Sequence, residues 1–180
     1  GGTSTVTYNG TGAQTVAAVP YHHLTINKTT GTANYTAAAN QSITGNLTIS
    51  GSGKLLYTIP TLTVAGDVSI NSGTLEASGT SEIDLKGNWG RAAGATFTPG
   101  TGRVTFSGSA AQTVAATGFH HLTVNKSAAA LTTLGNLTLS GDLGVTTGEF
   151  VIDGHTVSRS PAGGTISVSN GATLRIKDTA

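Results

Sequence analysis

A stretch of 24 residues is written twice in this chain without a gap. Residues 5–28 align with residues 103–126 at a constant offset of 98 positions, which places Lys28 opposite Lys126. Self-similarity at a fixed offset is typical of repeat architectures, in which each structural unit packs only against its neighbours. The pattern therefore predicts a solenoid rather than a closed sheet.

The two copies go out of register after Lys28. Residues 45–51 match residues 135–141 at an offset of 90, which predicts an extra loop in the first copy, within residues 29–44. Solenoids tolerate such changes in length because each coil contacts only the coils beside it. A closed barrel does not, because its strand number is fixed by closure.

Short apolar-polar-apolar triplets recur about every 20 residues. Alternation with a period of two is typical of a strand with one buried face. The triplets begin at Val6, Leu24, Leu47, Leu62, Ile83, Val104, Leu122 and Leu137. No segment has helical periodicity, so we predict an all-β fold, a parallel β-helix or β-solenoid of about nine coils with almost no helix. It would be one domain with repeat copies at about 5–102 and 103–180.

The composition argues against several classes of function. Charged residues make up only 9% of the chain and the formal net charge is +1, whereas average globular chains are roughly 25% charged. Without a basic cluster, nucleic acid is a poor partner, and without a long apolar run, no membrane insertion is expected. Cys is absent, which excludes disulfides and thiolate-bound metals.

Neither end of the predicted solenoid carries an amphipathic cap. Solenoids normally end in a polar capping element, because an uncovered edge strand pairs readily with another chain. We therefore expect head-to-tail pairing with neighbouring copies, which is an open-ended contact. The residues expected to make it are Thr5, Val6 and Thr7 at one end and Leu174, Arg175 and Ile176 at the other.

Two histidine pairs, His22-His23 and His120-His121, are candidates for metal binding. Neighbouring strand residues point to opposite faces, so one pair does not chelate a metal easily. A corner histidine packed beside an aromatic ring is the simpler interpretation. We therefore predict no metal site and no cofactor.

The acids Glu82 and Asp84 share a strand face, and Glu76 is expected to stack nearby. Solenoid hydrolases and lyases combine clustered carboxylates with basic residues in a groove. The repeat supplies no matching basic set, and solvated coil faces also explain the acids. We predict no catalytic residues, and a polysaccharide-degrading β-helix enzyme is kept as an alternative.

The central threonines of the triplets are candidates for one outward ladder, the kind of surface with which an ice-binding protein orders water. They are Thr7, Thr25, Thr48, Thr63, Thr105, Thr123 and Thr138. The preference of threonine for strands explains the pattern equally well. An ice-binding protein therefore remains a further alternative.

Seven Asn-x-Ser/Thr sequons occur in the chain. Glycosylation requires an exposed asparagine in a suitable secretion route. Asn34 and Asn40, in the predicted extra loop, are the best candidates. Asparagine in turns and ladders is the alternative explanation.

Residues 87–109, followed by residues 112–114 and 119–125, resemble repeats of very large secreted bacterial surface proteins. The resemblance implies a right-handed parallel β-helix of the adhesin and autotransporter-passenger type, located outside the cell or on its surface. It supplies no catalytic residues. We expect an extracellular structural subunit whose partner is itself, forming a filament or surface fibre. The alternative is an adhesin segment that binds glycan or protein on a lateral face.

Overall fold

The computed structural model describes residues 3–160 and 164–177, which form an all-β solenoid of parallel strands with no helix. The two terminal glycines and residues 178–180, at the predicted ends, lie outside the described residues. Each coil has three sides, and the strands of successive coils pair into three parallel stacks. The predicted fold class is confirmed.

The strands alternate regularly among the three sides of the coil. Stack one contains β1 (Thr5–Tyr8), β3 (His23–Ile26), β6 (Leu47–Ile49), β9 (Val68–Ile70), β12 (Trp89–Arg91), β15 (Gln112–Val114), the second parts of β17 (His121–Thr133) and β19 (Leu143–Asp153), and β22 (Thr173–Lys177). Stack two contains β2 (Gln14–Val16), β4 (Thr32–Thr36), β7 (Lys54–Thr58), β10 (Thr74–Ala77), β13 (Thr96–Thr98), β16 (Thr117–Phe119), β18 (Leu137–Leu139) and β20 (Val157–Arg159). Stack three contains β5 (Gln41–Ile43), β8 (Thr61–Val64), β11 (Glu82–Leu85), β14 (Arg103–Phe106), the first parts of β17 and β19, and β21 (Ile166–Val168). Tyr21 precedes β5 in stack three through a parallel bridge to Ile43.

The register of stack one defines about eight turns. Its partners are spaced by 18 residues from Val6 to Leu24 and by 25 residues from Trp89 to Val114, the shortest and longest coils of this stack. At about 4.8 Å between strands, eight turns are roughly 38 Å long. The sequence slightly overestimates the number of coils because it counts strand triplets from different sides together.

Inward side chains form a continuous apolar core along the axis. Leu24, Leu47, Val68 and Trp89 are register partners, and each is at most 1% exposed. Burial of apolar surface contributes roughly 25 cal/mol per Å² to stability. The inward apolar residues of the strands therefore form one hydrophobic cluster that extends along the axis of the solenoid.

The second copy of the repeat is rotated by one side relative to the first. Strand β1 lies in stack one, but its repeat equivalent β14 lies in stack three. Strand β2 lies in stack two, and its equivalent β15 lies in stack one. An offset of 98 residues is therefore not a whole number of coils, and the same sequence folds on different sides of the rod.

Residues 29–44 are not an inserted loop, because they contain β4 and β5. Contacts also identify Gly141-Asp142, rather than Gly135-Asn136, as the equivalent of Gly45-Asn46, since Gly45 and Gly141 each lie against the second histidine of a pair. The predicted offset of 90 is therefore wrong as a structural alignment. A Gly-Asn-Leu or Gly-Asp-Leu segment marks a corner before a strand on any side, so the motif does not identify the side.

Candidate functional site

Lys28 is fully buried and organises the corner that precedes β2. Its Nζ donates hydrogen bonds to the carbonyls of Gly10 at 2.6 Å and Gly12 at 2.5 Å, and to Oε1 of Gln14 at 3.0 Å. Burial of an ammonium group is costly unless polar partners replace its water. Three oxygen acceptors make this lysine a cross-link between adjacent coils.

Lys126 repeats this arrangement in the second copy. Its Nζ donates to the carbonyl of Ala110 at 2.5 Å and to Oε1 of Gln112 at 2.7 Å, and the residue is 1% exposed. Burial lowers the pKa of the Lys126 ammonium. Sequence reasoning missed both lysines, although the identical Gln-to-Lys spacing in the two copies was a visible signal.

The histidine pairs lie at corners, where both rings meet on the same side. The ring centroids of His22 and His23 are 4.3 Å apart in an edge-to-face arrangement, and those of His120 and His121 are also 4.3 Å apart. The expectation of opposite faces is wrong, because a corner interrupts the pleat of the strand. No cluster of three potential metal ligands occurs in residues 3–160 and 164–177.

The second histidine of each pair begins a ladder of corner hydrogen bonds. Nδ1 of His23 accepts from the backbone N–H of Asn46 at 2.8 Å. Oδ1 of Asn46 accepts from the N–H of Asp67 at 2.9 Å, and Oδ1 of Asp67 from the N–H of Asn88 at 2.6 Å. Each side chain thus satisfies a backbone donor of the next coil that would otherwise lack a partner.

A second corner ladder starts at His121. Its Nδ1 accepts from the N–H of Asp142 at 2.9 Å, and Oδ1 of Asp142 accepts from the N–H of Thr165 at 2.6 Å. Burial, followed by the neighbouring His120, lowers the pKa of His121. Hydrogen bonds from Thr165 lower the pKa of the Asp142 carboxyl. The backbone N–H groups of Asp142 and Thr165 thus hold the neutral His121 and the Asp142 carboxylate in place.

The acids do not form one cluster. Glu82 and Asp84 lie in stack three, whereas Glu76 lies in stack two on another side of the coil, so the expectation that Glu76 stacks nearby is wrong. Each acid has a basic neighbour. The ion pairs are Lys54–Glu76 at 3.0 Å, Arg103–Glu82 at 3.7 Å and Lys86–Asp84 at 3.8 Å.

The central threonines do not form one ladder, because they occupy all three sides. Thr7, Thr25 and Thr48 follow one another in stack one, Thr63, Thr105 and Thr123 lie in stack three, and Thr138 lies in stack two. The column in stack one continues with Ser69 and Gly90. The neighbouring column on that side begins at Thr5 and continues with His23, Asn46 and Asp67, so it is not a second row of threonines.

The two sequon asparagines occupy different environments. Asn34 lies within β4 and is half-buried, with Thr15 and Leu56 as register partners. Asn40 is exposed in the connection between β4 and β5. Of the two, Asn40 is the more accessible, and its glycosylation stays a prediction.

Several shallow grooves run along the sides of the rod, and two of them lie on stacks three and two. One, of about 450 Å³, lies on stack three and is lined by polar residues that include Arg103, Thr123 and Asp142. The other, of about 440 Å³, lies on stack two and includes Phe97 and Phe119. The second groove coincides with the place where β13 and β16 do not pair, so that stack two divides into two sheets.

The predicted assembly residues lie on the terminal strands of stack one. Thr5, Val6 and Thr7 belong to β1, whose one described partner is β3, and Leu174, Arg175 and Ile176 belong to β22, whose one described partner is β19. Both strands therefore leave an edge uncovered within the described part of the chain.

Exposed apolar side chains are concentrated at these ends. Six large hydrophobic residues of the described segments are exposed, of which Val6, Val19, Ile166, Val168 and Ile176 lie on the end coils, and Leu134 lies on a side. Val6 is 42% exposed, whereas its repeat equivalent Val104 is 3% exposed. Sequence reasoning did not name Val19, Ile166 and Val168, because it took only the first and the last strand segment of the chain as the ends.

Tyrosines support the corner at the β1 end. Tyr8 and Tyr21 occupy the positions that Phe106 and Phe119 occupy in the second copy. The N–H of Ala17 donates to the hydroxyl of Tyr8 at 3.1 Å, and the hydroxyl of Tyr21 donates to the carbonyl of Ala17 at 2.9 Å. Burial raises the pKa of Tyr21. This end coil is therefore held by side-chain hydrogen bonds although one edge is open.

No family model, curated protein or solved structure matches this chain. The described residues also contain no helix of the length and hydropathy needed to cross a membrane.

Proposed function

We propose that this chain is an extracellular structural subunit that joins end to end with copies of itself, as a filament or surface fibre of the adhesin or autotransporter-passenger type. The observation that carries the proposal is the concentration of exposed apolar residues on the two end coils. Isolated apolar residues on a surface are ordinary, but a patch at an unpaired sheet edge is a template for another strand. The partner of each end would be the opposite end of a second copy.

The internal repeat supports this partner. Strand β14 repeats the sequence position of β1 and is covered on both edges, by β11 and by β17. In the second copy, Val104 and Phe106 pack against Ile83 and Leu85 of the coil below. The surface that β1 leaves open is thus one that accepts a parallel strand when the same sequence occurs within the rod.

Electron microscopy of the purified chain tests the proposal. We expect unbranched fibres from the natural sequence, and short rods from Val6→Lys or Ile176→Lys, because either change places a charge in the end contact. Leu134→Lys is the matched control, because Leu134 is 61% exposed but lies on a side, and it should leave fibres intact. Short rods of the natural chain at high concentration would contradict the proposal.

A second candidate function is an adhesin segment that binds glycan on a lateral face. The groove on stack two favours it, because the half-buried Phe97 offers ring surface beside the hydroxyls of Thr138 and Ser158. Binding of glycans to immobilised chain, lost in Phe97→Ser but not in Val6→Lys, would support this function. No catalytic role is proposed, because the acids of the predicted cluster do not converge: Glu76 lies on a different side of the coil from Glu82 and Asp84.

A further inference from the structure

We infer that, in the filament proposed above, each copy is rotated by one side of the coil, about a third of a turn, relative to the copy beneath it. The inference rests on the proposed function and concerns the geometry of the contact. Within residues 3–160 and 164–177, stack one holds nine strand segments, whereas stacks two and three hold eight each when the Tyr21 bridge is included. Between Thr5 and Lys177, the chain therefore passes one side beyond eight complete turns.

The edges of the two ends meet fully only after this rotation. The segments at the far end are β20 in stack two, β21 in stack three and β22 in stack one, in chain order. The next position of the spiral lies above β20. A second copy that begins there places its β1 on β20, its β2 on β21 and its Tyr21 segment on β22, so that all three edges are paired at the ordinary strand spacing of about 4.8 Å.

Without rotation, only stack one is joined. If β1 of the second copy sits on β22, its β2 lies two strand spacings, about 9.6 Å, above β20. One strand is then missing from stack two and one from stack three at every junction. The exposed Ile166 and Val168 of β21 would remain uncovered, whereas the rotated contact places a strand on them.

The sides of the coil are interchangeable enough for this contact. Within the chain, the repeat already folds with β1 in stack one and its equivalent β14 in stack three. The buried Lys28 and Lys126 make matching hydrogen bonds in these two settings. Because the same repeat sequence packs on two different sides within one chain, the end coil is also suited to pair with a copy that is rotated by one side.

The rotated contact predicts the helical symmetry of the filament. Each copy would add eight and one third turns, or about 40 Å, along the axis. The same side would return after three copies, at about 120 Å. An unrotated filament would instead repeat every copy, at about 43 Å.

Cysteine cross-linking distinguishes the two contacts, because the natural chain has no Cys. Thr7 and Ser158 are the outward central residues of β1 and β20, and Arg175 is the central residue of β22. Register partners on adjacent parallel strands lie within the Cα distance that a disulfide spans. Thr7→Cys/Ser158→Cys should give a ladder of covalent multimers on oxidation, whereas Thr7→Cys/Arg175→Cys should remain largely monomeric in denaturing gels.

Residues 7 and 158 lie at opposite ends of the rod, so a disulfide between them is necessarily intermolecular. Fibres with a ladder from the Arg175 pair, from both pairs or from neither would overturn the rotated contact while leaving end-to-end assembly intact. Absence of fibres from the natural chain would overturn assembly itself, and the rotated contact with it.

Discussion

A lysine inside a protein loses the hydration of its ammonium group, and the two buried lysines recover hydrogen bonds from corner oxygens. The repeat conserves Gln14 with Lys28 and Gln112 with Lys126 at the same spacing. In both places the lysine donates to the corner of the adjacent coil, before β2 for Lys28 and before β15 for Lys126. At the scale of single residues, the shared polar positions of the repeat are thus explained by hydrogen bonding between coils.

Lys126→Met should destabilise the chain by about 2–4 kcal/mol, because it leaves buried acceptors without a donor. Urea unfolding followed by circular dichroism measures the change. Lys177→Met is the matched control, because Lys177 forms an exposed ion pair with Asp153 at 3.5 Å. The control should change stability by less than about 1 kcal/mol. Equal effects of the two substitutions would show that Lys126 is not a cross-link.

Stability should fall as the pH falls below about 6.5, where unfolded histidine titrates. The pKa of folded His121 is lowered, so the unfolded chain binds more protons in this range and is favoured by acid. The contribution of His121 is complete above pH 6.5 and is lost as the pH falls to its folded pKa. The charged or titratable groups that face it are His120, Asp142, Arg103 and Glu82.

His121→Asn provides the test of this pH dependence. Asparagine occupies the same ladder position at Asn46 and Asn88 and accepts the same backbone hydrogen bond without titrating near neutral pH. We expect the variant to unfold at a urea concentration that changes less between pH 7 and pH 5. An unchanged pH dependence would assign the acid sensitivity to another group.

The corners between strands, rather than the strands themselves, contain the positions at which only one type of residue fits. Many glycines of this chain lie near strand ends, where a positive φ is easily adopted by glycine. In Gly79 and Gly154 the φ is positive, but Gly66 has no positive φ and is needed for another reason. A Cβ on Gly66 would overlap Oδ1 of Asn46, the acceptor of the corner ladder.

Gly66→Ala should therefore destabilise the chain by about 2 kcal/mol or more, because the ladder oxygen and the backbone below it must shift. Gly90→Ala is the control, since the nearest atom to its Cβ would be 3.7 Å away. The control should lie within about 0.5 kcal/mol of the natural chain. A small effect at Gly66, measured by urea unfolding, would mean that the corner adapts freely.

Strands and their inward faces were predictable from the sequence, because alternation with a period of two is local. The side on which each strand lies was not, because the triplets at Leu47 and Leu137 are nearly identical but belong to stacks one and two. The side of the coil on which a strand lies depends on the lengths of all the corners that precede it in the chain. The same limit explains why the threonines were expected in one ladder and why Glu76 was placed beside Glu82.

The whole molecule should tolerate removal of a complete coil. Deletion of residues 47–67 joins Asn46 to Val68, and Val68 is the register partner of Leu47. We expect a folded chain, because β3 then meets β9 in the same register and each coil contacts only its neighbours. The dependence of unfolding free energy on urea should fall by roughly one part in eight, since less surface is buried.

Deletion of only residues 47–56 is the matched comparison. It removes β6 and the first three residues of β7, so the cut falls inside a strand and the inward face and the corner of that coil are lost. We expect loss of the cooperative unfolding transition in this variant. A folded partial deletion alongside an unfolded complete deletion would contradict a solenoid built from independent coils.

The rotation of the internal repeat also bears on how a gene for such a rod can lengthen. If successive copies had to begin on the same side, only duplications equal to whole coils would produce a foldable product. The displacement of β14 from the side of β1 shows that a duplicated segment needs to end only at a strand boundary. Unequal recombination within the coding sequence then has three acceptable breakpoints per coil instead of one. A single recombination event can therefore produce a rod of any of many lengths.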